Sequence, residues 1–199
     1  MAGIFTMKIT LAIDTATART QFAILKGDQL LWHQIEDGAT THGDVLAKFG
    51  ALAAKENIDQ VIVGMGPGPF TGLRTGIVFA QSFAFAQGLP VHGICSLDAI
   101  AYGIDLPEFI VATDARRKEL YWAKYVGGKR VGEPVVTAPS EIPSLPLFGE
   151  GALKYQLTSD TEHLYPKLIS FPTLTHVNEP MYLRHPDAVP MQNQKAERK

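Results

Sequence analysis

Two aspartates stand where a predicted strand ends and a turn begins, and their surroundings are alike. Asp14 lies in the segment AIDT and Asp114 in the segment ATDA, and each is followed at the same spacing by a hairpin glycine, Gly27 and Gly127. Carboxylates at strand ends can hold a metal-bound nucleotide between the two halves of a duplicated fold. Alternatively, each aspartate caps its own turn by bonding to the backbone two residues on.

The residues that follow the two aspartates favour the capping role. A loop that closes on phosphate needs glycine shortly after the aspartate, so that the backbone can approach the ligand. This chain has Ala16 and Arg116 at those positions. We therefore expect no more than a vestigial nucleotide or partner site, made of Asp14, Thr15, Arg74 and Asp114.

A glycine- and proline-rich loop, residues 64–72 with the sequence GMGPGPFTG, leads into a predicted helix. The backbone N–H groups of such a loop can hold phosphate at the helix N-terminus. The loop departs from the P-loop pattern, because Gly72 is followed by Leu73 and Arg74 rather than by Lys and Ser or Thr. Its alternating glycines do not fit the dinucleotide-binding pattern either, so a rigid turn is the favoured interpretation.

The histidines and the cysteine form no recognisable catalytic or metal-binding pattern. No two histidines are spaced as i and i+4 on a predicted helix, and His92 falls in a predicted buried strand. Because Cys95 is the single cysteine, an internal disulfide and a cysteine-based zinc site are excluded. We expect neither a metal site nor a catalytic triad.

The composition is that of a globular chain without a strong net charge. The 199 residues are 46% hydrophobic and 19% charged, with a net charge of −2. This balance argues against the chain gripping nucleic acid by itself. Residues 1–6 lack the basic start of a signal peptide, and no apolar run is long enough to cross a membrane. We therefore expect a cytoplasmic protein.

The apolar pattern predicts a β-β-β-α-β-α order, a further β-α unit, and then a second start of the same order. Strands are predicted at residues 8–14, 20–25, 29–35, 60–65, 90–95, 109–114, 119–126, 129–136 and 147–151, and helices at 41–56, 71–87 and 97–102. With the matching aspartates, this order indicates a duplication with a period of about 100 residues. The expected division is an extension at 1–6, a first lobe at 7–105, a reduced second lobe at 106–190 and a tail at 191–199.

The helix predicted at residues 71–87 carries small residues at every fourth position from Gly72 to Gly88. A stripe without large side chains lets another helix approach closely, and that helix belongs either to the same chain, at 41–56, or to a partner. If it belongs to a partner, Gly76→Leu should block pairing and leave the fold intact. The residues expected at a partner interface are Val45, Phe49, Leu52, Gly72, Leu73, Gly76, Ala80 and Phe83.

Five segments of the sequence resemble the TsaB (YeaZ) family. They lie at residues 11–17, 66–76, 96–101, 114–121 and 182–184, and GPGPFTGLRTG is the most specific of them. The resemblance implies an α/β fold of duplicated βββαβα lobes, of the actin/Hsp70/sugar-kinase (ribonuclease-H-like) type. It also implies a bacterial protein needed for the threonylcarbamoyl modification of the adenosine next to the anticodon of tRNA.

The resemblance further implies a scaffold subunit without catalysis of its own. In this family the chain pairs with the catalytic subunit TsaD through two helices of the first lobe, the ATPase TsaE docks on the pair, and tRNA is contacted indirectly. The TsaD relatives hold a metal with two histidines, whereas the equivalent positions here are Ser96 and Ile100, which replace imidazole poorly. We expect no cofactor, and a homodimer when TsaD is absent.

Some residues depart from the family pattern. Pro69 stands where serine is usual, and residues 42–44 read His-Gly-Asp where His-Ser-Glu is usual. The helix usually found before the Tyr-Leu-Arg motif is missing from the pattern, in keeping with a reduced second lobe. The competing function is an ATP-dependent phosphotransferase or ATPase of the same superfamily, which would use Asp14 and Asp114.

Overall fold

The computed structural model describes residues 7–38 and 42–184, which form two lobes, each built on one β-sheet. The strands are β1 (Ile9–Asp14), β2 (Arg19–Lys26), β3 (Gln29–Asp37), β4 (Gln60–Gly64), β5 (Val91–Ile94), β6 (Glu108–Asp114), β7 (Leu120–Val126), β8 (Lys129–Thr137), β9 (Leu147–Phe148) and β10 (His176–Val177). The α-helices are α1 (His42–Ala53), α2 (Phe70–Gln87), α3 (Ser96–Ala101) and α4 (Glu150–Lys154), and 3-10 helices span Pro139–Glu141 and Leu168–Thr173. Within the described ranges, no helix is long and apolar enough to cross a membrane.

The first sheet has six strands in the order β10-β5-β4-β1-β2-β3. Its central strand, β1, pairs antiparallel with β2 and parallel with β4. Alternate side chains of these strands enter two cores, because α1 and α2 cover one face of the sheet while α3 and the 3-10 helix Leu168–Thr173 cover the other. Strands covered on both faces are apolar along nearly their whole length, as β1 and β4 are.

Helix α2 begins one residue earlier than the sequence predicts. Pro69, with an extended backbone, precedes the first residue Phe70, so Thr71 lies inside the first turn and is not the cap. The helix ends where predicted, at Gly88, whose φ of 67° is in the left-handed region that glycine adopts readily. Residue 41, where the sequence predicts that α1 begins, lies outside the described residues.

The small residues of α2 face the interior of the first lobe. Gly76 lies against Thr15 in the turn after β1, where a methyl group on the glycine would overlap the threonine hydroxyl. A methyl group on Gly72 would lie 3.0 Å from the Thr15 carbonyl oxygen and 3.1 Å from Nε2 of His42. Ala80 is buried in the core beneath the helix. The stripe therefore serves packing within the chain, and its glycines lie on the β1 turn.

This packing corrects the predicted partner interface. Four of its residues are buried in the first lobe and are not free to contact a partner: Phe49, Leu73, Gly76 and Ala80. Of the other four, Leu52 is exposed, and the remaining three are half-buried: Val45, Gly72 and Phe83.

The second sheet repeats the plan of the first in reduced form. Its order is β8-β7-β6-β9, with an antiparallel meander of β6, β7 and β8 and with β9 parallel to β6. The 3-10 helix Pro139–Glu141 stands where α1 stands in the first lobe, and the five-residue α4 stands where α2 stands. The chain thus has duplicated βββαβα lobes of the actin/Hsp70/sugar-kinase type, the second of them reduced.

Two features of the second half differ from the sequence prediction. The strand expected at 147–151 is limited to Leu147–Phe148, because the chain turns at Gly149, whose φ is 100°, and enters α4. Later residues return to the first lobe, where the 3-10 helix Leu168–Thr173 packs on the sheet and β10 pairs with β5. A two-residue strand has no periodicity, so the sequence could not predict this return.

The position of Gly76 reverses the expected effect of enlarging it. Because Gly76 is packed against Thr15, Gly76→Leu should destabilise the fold by about 3 kcal/mol or more, as overpacking of a core does. Urea denaturation of the purified variant measures this loss. Gly43→Ala is the matched control, since nothing lies near a methyl group there, and it should be neutral or mildly stabilising. A Gly76→Leu variant as stable as the wild type would contradict the packing described.

Candidate functional site

Asp14 lies at the end of β1 in the centre of the first sheet, and its carboxylate is fully buried. Oδ2 accepts a hydrogen bond of 2.6 Å from the hydroxyl of Ser96, and Oδ1 accepts one of 2.9 Å from the backbone N–H of Ala16. Burial raises the pKa of Asp14 to about 6, although the two hydrogen bonds act in the opposite direction. The carboxylate joins the β1 turn to the first residue of α3 inside the protein.

The glycine-rich loop lies directly over the β1 turn. Gly64 is so close that a methyl group there would overlap Oδ2 of Asp14, and a methyl group on Gly68 would overlap the backbone of Ala16. The hydroxyl of Thr15 donates a hydrogen bond of 2.9 Å to the carbonyl oxygen of Gly72, which ties the turn to α2. The glycine-rich loop and the turn after β1 are therefore in close contact at Gly64, Gly68 and Gly72.

Asp114 occupies the matching position in the second lobe, but its surroundings differ. It is half-buried, and its Oδ2 is 2.6 Å from the ammonium group of Lys154. Oδ1 accepts a hydrogen bond of 3.1 Å from the backbone N–H of Arg116, and the N–H of Asp114 donates to Oε1 of Glu150 at 2.7 Å. Burial raises the pKa of Glu150. Both aspartates therefore bond to the backbone two residues on and cap their own turns.

Arg74 is exposed on α2, where its guanidinium carbon lies 5.9 Å from the centre of the Phe70 ring. The four residues predicted for a vestigial site thus occupy different surroundings. Asp14 and Thr15 are buried beneath the glycine-rich loop, Asp114 is paired in the other lobe, and Arg74 is at the surface. The structure does not bring them together into one open site.

His42 and His92 each contact a side chain that is distant in the sequence. Nδ1 of His42 is 2.5 Å from the hydroxyl of Thr20, and burial lowers the pKa of this imidazole. His92 is half-exposed rather than buried, and its ring stacks on that of His176 with 4.3 Å between the centroids. In the part of the chain that the structure describes, no three side chains of His, Cys, Asp or Glu are grouped so as to hold a metal ion.

The outward faces of α1 and α2 expose large apolar side chains. Phe85 is 91% exposed, and Val78 and Leu52 are 48% and 46% exposed. Val78 and Phe85 are seven residues apart, which places them on the same side of α2. We call Val78 and Phe85 the apolar patch. Because exposed apolar groups of this size mark interaction surfaces when they are grouped, the patch is the candidate functional site of the first lobe.

The last described residues connect the two lobes. The N–H of Met181 donates a hydrogen bond of 2.8 Å to the carbonyl oxygen of Met65 in the first lobe. In the second lobe the guanidinium of Arg184 donates to the carbonyl oxygen of Ala115 at 2.9 Å and pairs with Glu119. No local pattern in the sequence predicts this contact, since a lone arginine near the end of a chain is usually a solvated side chain.

The sequence is similar to those of known proteins over most of its length. Residues 45–181 match the family model described as TsaD: tRNA N6-adenosine threonylcarbamoyltransferase. An uncharacterized protein of Mycobacterium tuberculosis (strain ATCC 25618 / H37Rv) is 38% identical over 200 residues, covering 91% of this chain and 94% of the relative. The tRNA threonylcarbamoyladenosine biosynthesis protein TsaB of Escherichia coli is 34% identical over 133 residues, covering 58% of this chain and 54% of TsaB.

Solved structures of similar proteins also align with most of this chain. YeaZ from Pseudomonas aeruginosa aligns with a TM-score of 0.67 and 25% identity, over 83% of this chain and 89% of that chain. A Pseudomonas aeruginosa protein described as similar to peptidase YEAZ aligns with a TM-score of 0.70 and 25% identity, over 89% of this chain and all of that one. The fold and these alignments define a two-lobed protein of the actin/Hsp70/sugar-kinase class. Within that class, the chain belongs to the TsaB (YeaZ) family.

The burial of Asp14 has a measurable effect on stability. Its folded-state pKa of about 6 lies above the ordinary value of 3.8, so the native state binds the proton more tightly than the unfolded state. The free energy of unfolding should therefore fall as pH rises between these values, by roughly 3 kcal/mol from this group.

Asp14→Asn should remove this pH dependence, because the amide carries no charge. Its oxygen can accept from the N–H of Ala16, and its NH2 group can donate to the Ser96 hydroxyl oxygen, which reverses that hydrogen bond. Urea denaturation at pH 4.5 and pH 8 is the measurement, and the variant should gain stability over the wild type mainly at pH 8. An equal difference between variant and wild type at the two pH values would show that Asp14 is not a buried, destabilised carboxylate.

Proposed function

We propose that this chain is a non-catalytic scaffold or activator subunit for threonylcarbamoyladenosine biosynthesis, at the adenosine next to the anticodon of tRNA, and that it pairs with the catalytic subunit TsaD. Family membership supports the pathway, since relatives named TsaB are tRNA threonylcarbamoyladenosine biosynthesis proteins. Two features of the molecule support the role within it. They are the closed surroundings of Asp14 and the exposed apolar patch.

The surroundings of the two aspartates support a role without catalysis. A phosphotransferase of this superfamily would need its strand-end carboxylates to reach a metal-bound nucleotide. Asp14 is fully buried and bonded to Ser96 and Ala16, and Asp114 is paired with Lys154. We therefore favour the scaffold over the ATP-dependent phosphotransferase, and we propose no resident cofactor.

The observation that carries the proposed pairing is the exposure of Phe85. Burying a phenylalanine side chain contributes about 1.5–3 kcal/mol relative to leaving it in water, so its 91% exposure at the end of α2 is unfavourable for the isolated chain. Val78 lies on the same side of α2 and extends the apolar surface. An apolar centre of this kind is what a partner helix covers in a stable complex.

The proposal extends to self-association, to the ATPase TsaE and to tRNA. In isolation two copies of the chain would cover the apolar patch by pairing with each other, and TsaD would displace one copy. The ATPase TsaE would dock on the resulting pair, and tRNA would be held chiefly by the complex, because the net charge of −2 gives this chain little general attraction to RNA. We place this activity in the cytoplasm.

Phe85→Glu tests the proposed pairing. A carboxylate at the centre of the apolar patch would be desolvated by the partner, so we expect TsaD binding to weaken by tenfold or more. Co-elution and titration calorimetry with purified TsaD measure the effect, and the isolated variant should also lose self-association. Thermal unfolding should be almost unchanged, because Phe85 makes few contacts within the chain.

Val131→Glu is the matched control. Val131 is 54% exposed on β8 of the second lobe, away from α1 and α2, and the same substitution there should leave TsaD binding intact. Wild-type affinity in the Phe85→Glu variant, or equal losses in both variants, would contradict the proposed pairing surface.

A further inference from the structure

Strand β3 forms one edge of the first sheet. Its inner side pairs with β2, and in the ranges that the structure describes no strand lies along its outer side. The pairing with β2 is regular over residues 32–37 and shifts in register only nearer the hairpin. An edge strand directs a row of unpaired backbone N–H and C=O groups outward, where another strand can bond to them. Residues 32–37 therefore present a hydrogen-bonding edge.

A cavity of about 520 Å³ lies beside this edge. Ala23 of β2 lines it and belongs to the core on the side of the sheet opposite α1 and α2. The outer wall is β3, whose His33 and Ile35 pair in register with Ala23 and Gln21 and so share their face of the sheet. Residues 161–169 form the facing wall. The volume is in the range of sites that take small molecules or single side chains.

The cavity opens to solvent next to the β3 edge. Three of the large apolar side chains that line it are partly exposed, namely Leu30 at 42%, Ile35 at 39% and Ile169 at 40%. Leu30 and Ile35 belong to β3 itself, so the opening and the hydrogen-bonding edge lie side by side. Grouped exposed apolar side chains of this size mark interaction surfaces.

The polar side chains that β2 contributes to the cavity are already paired within the chain. Nε of Arg19 is 2.8 Å from Oδ1 of Asp37, and the guanidinium lies over the ring of Tyr165, with 3.6 Å between its central carbon and the ring centre. The amide of Gln21 donates a hydrogen bond of 3.0 Å to the carbonyl oxygen of Pro166. A small polar ligand would have to break these contacts in order to bind.

The facing wall is paired in the same way. Nζ of Lys167 lies 3.6 Å from Oε1 of Glu162. The largest set of available hydrogen-bonding groups beside the cavity is therefore the backbone edge of β3. An extended peptide can use that edge and the apolar cavity together, whereas a small polar molecule uses neither well. This combination favours a peptide strand as the occupant.

The other face of β3 indicates the charge of the occupant. Glu36 alternates with Ile35 and so points to the opposite face of the sheet. It accepts a hydrogen bond of 3.2 Å from the amide of Gln34, and among the described residues no cation pairs with it. A lysine or arginine on a strand beside β3 would supply the missing cation, because opposite charges on neighbouring strands attract. The occupant should alternate aliphatic and basic residues.

We propose that β3 binds an extended segment of another protein as an additional strand of the first sheet. An aliphatic side chain of that segment enters the cavity, and a basic side chain lies next to Glu36. In this mode of recognition the backbone hydrogen bonds give affinity and the pocket for alternate side chains gives specificity. The site is on the opposite side of the sheet from the apolar patch of α2, so it does not depend on the proposed pairing with TsaD.

A synthetic peptide tests strand addition on the isolated full-length chain. The probe is acetyl-Thr-Val-Lys-Leu-Lys-Val-Thr-amide, in which aliphatic residues alternate with lysines. Titration calorimetry should show saturable binding below about 1 mM, and hydrogen exchange of the β3 amides should slow when the peptide is bound.

Two N-methylated forms of the peptide identify the backbone contacts. One is methylated on the amide nitrogens of its valines and leucine, and the other on those of its lysines. Successive N–H groups of a strand point to opposite edges, and only one edge of the peptide can pair with β3. One form should therefore bind about tenfold more weakly or worse, since it loses several hydrogen bonds, and the other should bind like the parent peptide.

Ile35→Glu tests the cavity. A carboxylate at its apolar opening should weaken binding of the peptide by about tenfold or more, because the bound side chain would desolvate it. Leu31→Glu is the matched control, since Leu31 is 48% exposed on the same strand and does not line the cavity. It should bind the peptide like the wild type, and both variants should still co-elute with TsaD. If thermal unfolding shows that Ile35→Glu does not fold, His33→Glu at an exposed position of the same wall makes the same test.

Four results would overturn the inference. They are the absence of saturable binding up to about 1 mM peptide, equal binding by the two N-methylated forms, equal losses in Ile35→Glu and Leu31→Glu, and a loss of self-association in Ile35→Glu. Equal binding by the methylated forms would mean that the cavity takes a side chain without strand addition. Lost self-association would mean that the edge pairs with a second copy of this chain.

Discussion

The contact between α2 and the turn after β1 determines which side of α2 is buried in the first lobe and which side remains available to a partner. Gly72 and Gly76 have no side chains, so the helix lies directly on Thr15, and the glycine-rich loop before it is drawn over Asp14. The carboxylate at the centre of the sheet is thereby enclosed with Ser96 as its partner. The inward side of α2 is fully occupied by the chain itself, and any partner must meet its outward side.

The two lobes share one order of strands and helices but differ in what their helices cover. In the first, full-length helices bury the β1 turn and leave apolar side chains on the outside of the molecule. In the second, a 3-10 helix and the five-residue α4 replace those helices, and the turn at the equivalent position remains exposed and basic. The first lobe therefore offers the apolar surface that we propose for a protein partner.

Periodicity and turn chemistry were enough to predict most strands and both long helices to within a few residues. They did not show which side of α2 faces inward, because a stripe of small residues and an apolar stripe around it fit either orientation. The contact of Gly76 with Thr15 decides this, and it is a long-range contact that no local pattern encodes. Phe85 was missed for the same reason, since an apolar residue near a helix end is ordinarily assigned to the core. The role of Arg184 depends on a chain segment that returns between the lobes, which has no periodic signal.

The most direct test of the central claim is whether the closed β1 turn admits a nucleotide. Titration calorimetry of the isolated chain with Mg-ATP, followed by an assay for released phosphate, measures this without any partner. We predict no saturable binding up to about 1 mM ATP, which corresponds to less than about 4 kcal/mol of binding free energy, and no hydrolysis. Micromolar binding with turnover, abolished by Asp14→Asn, would contradict the claim and identify the chain as an ATP-dependent enzyme of its superfamily.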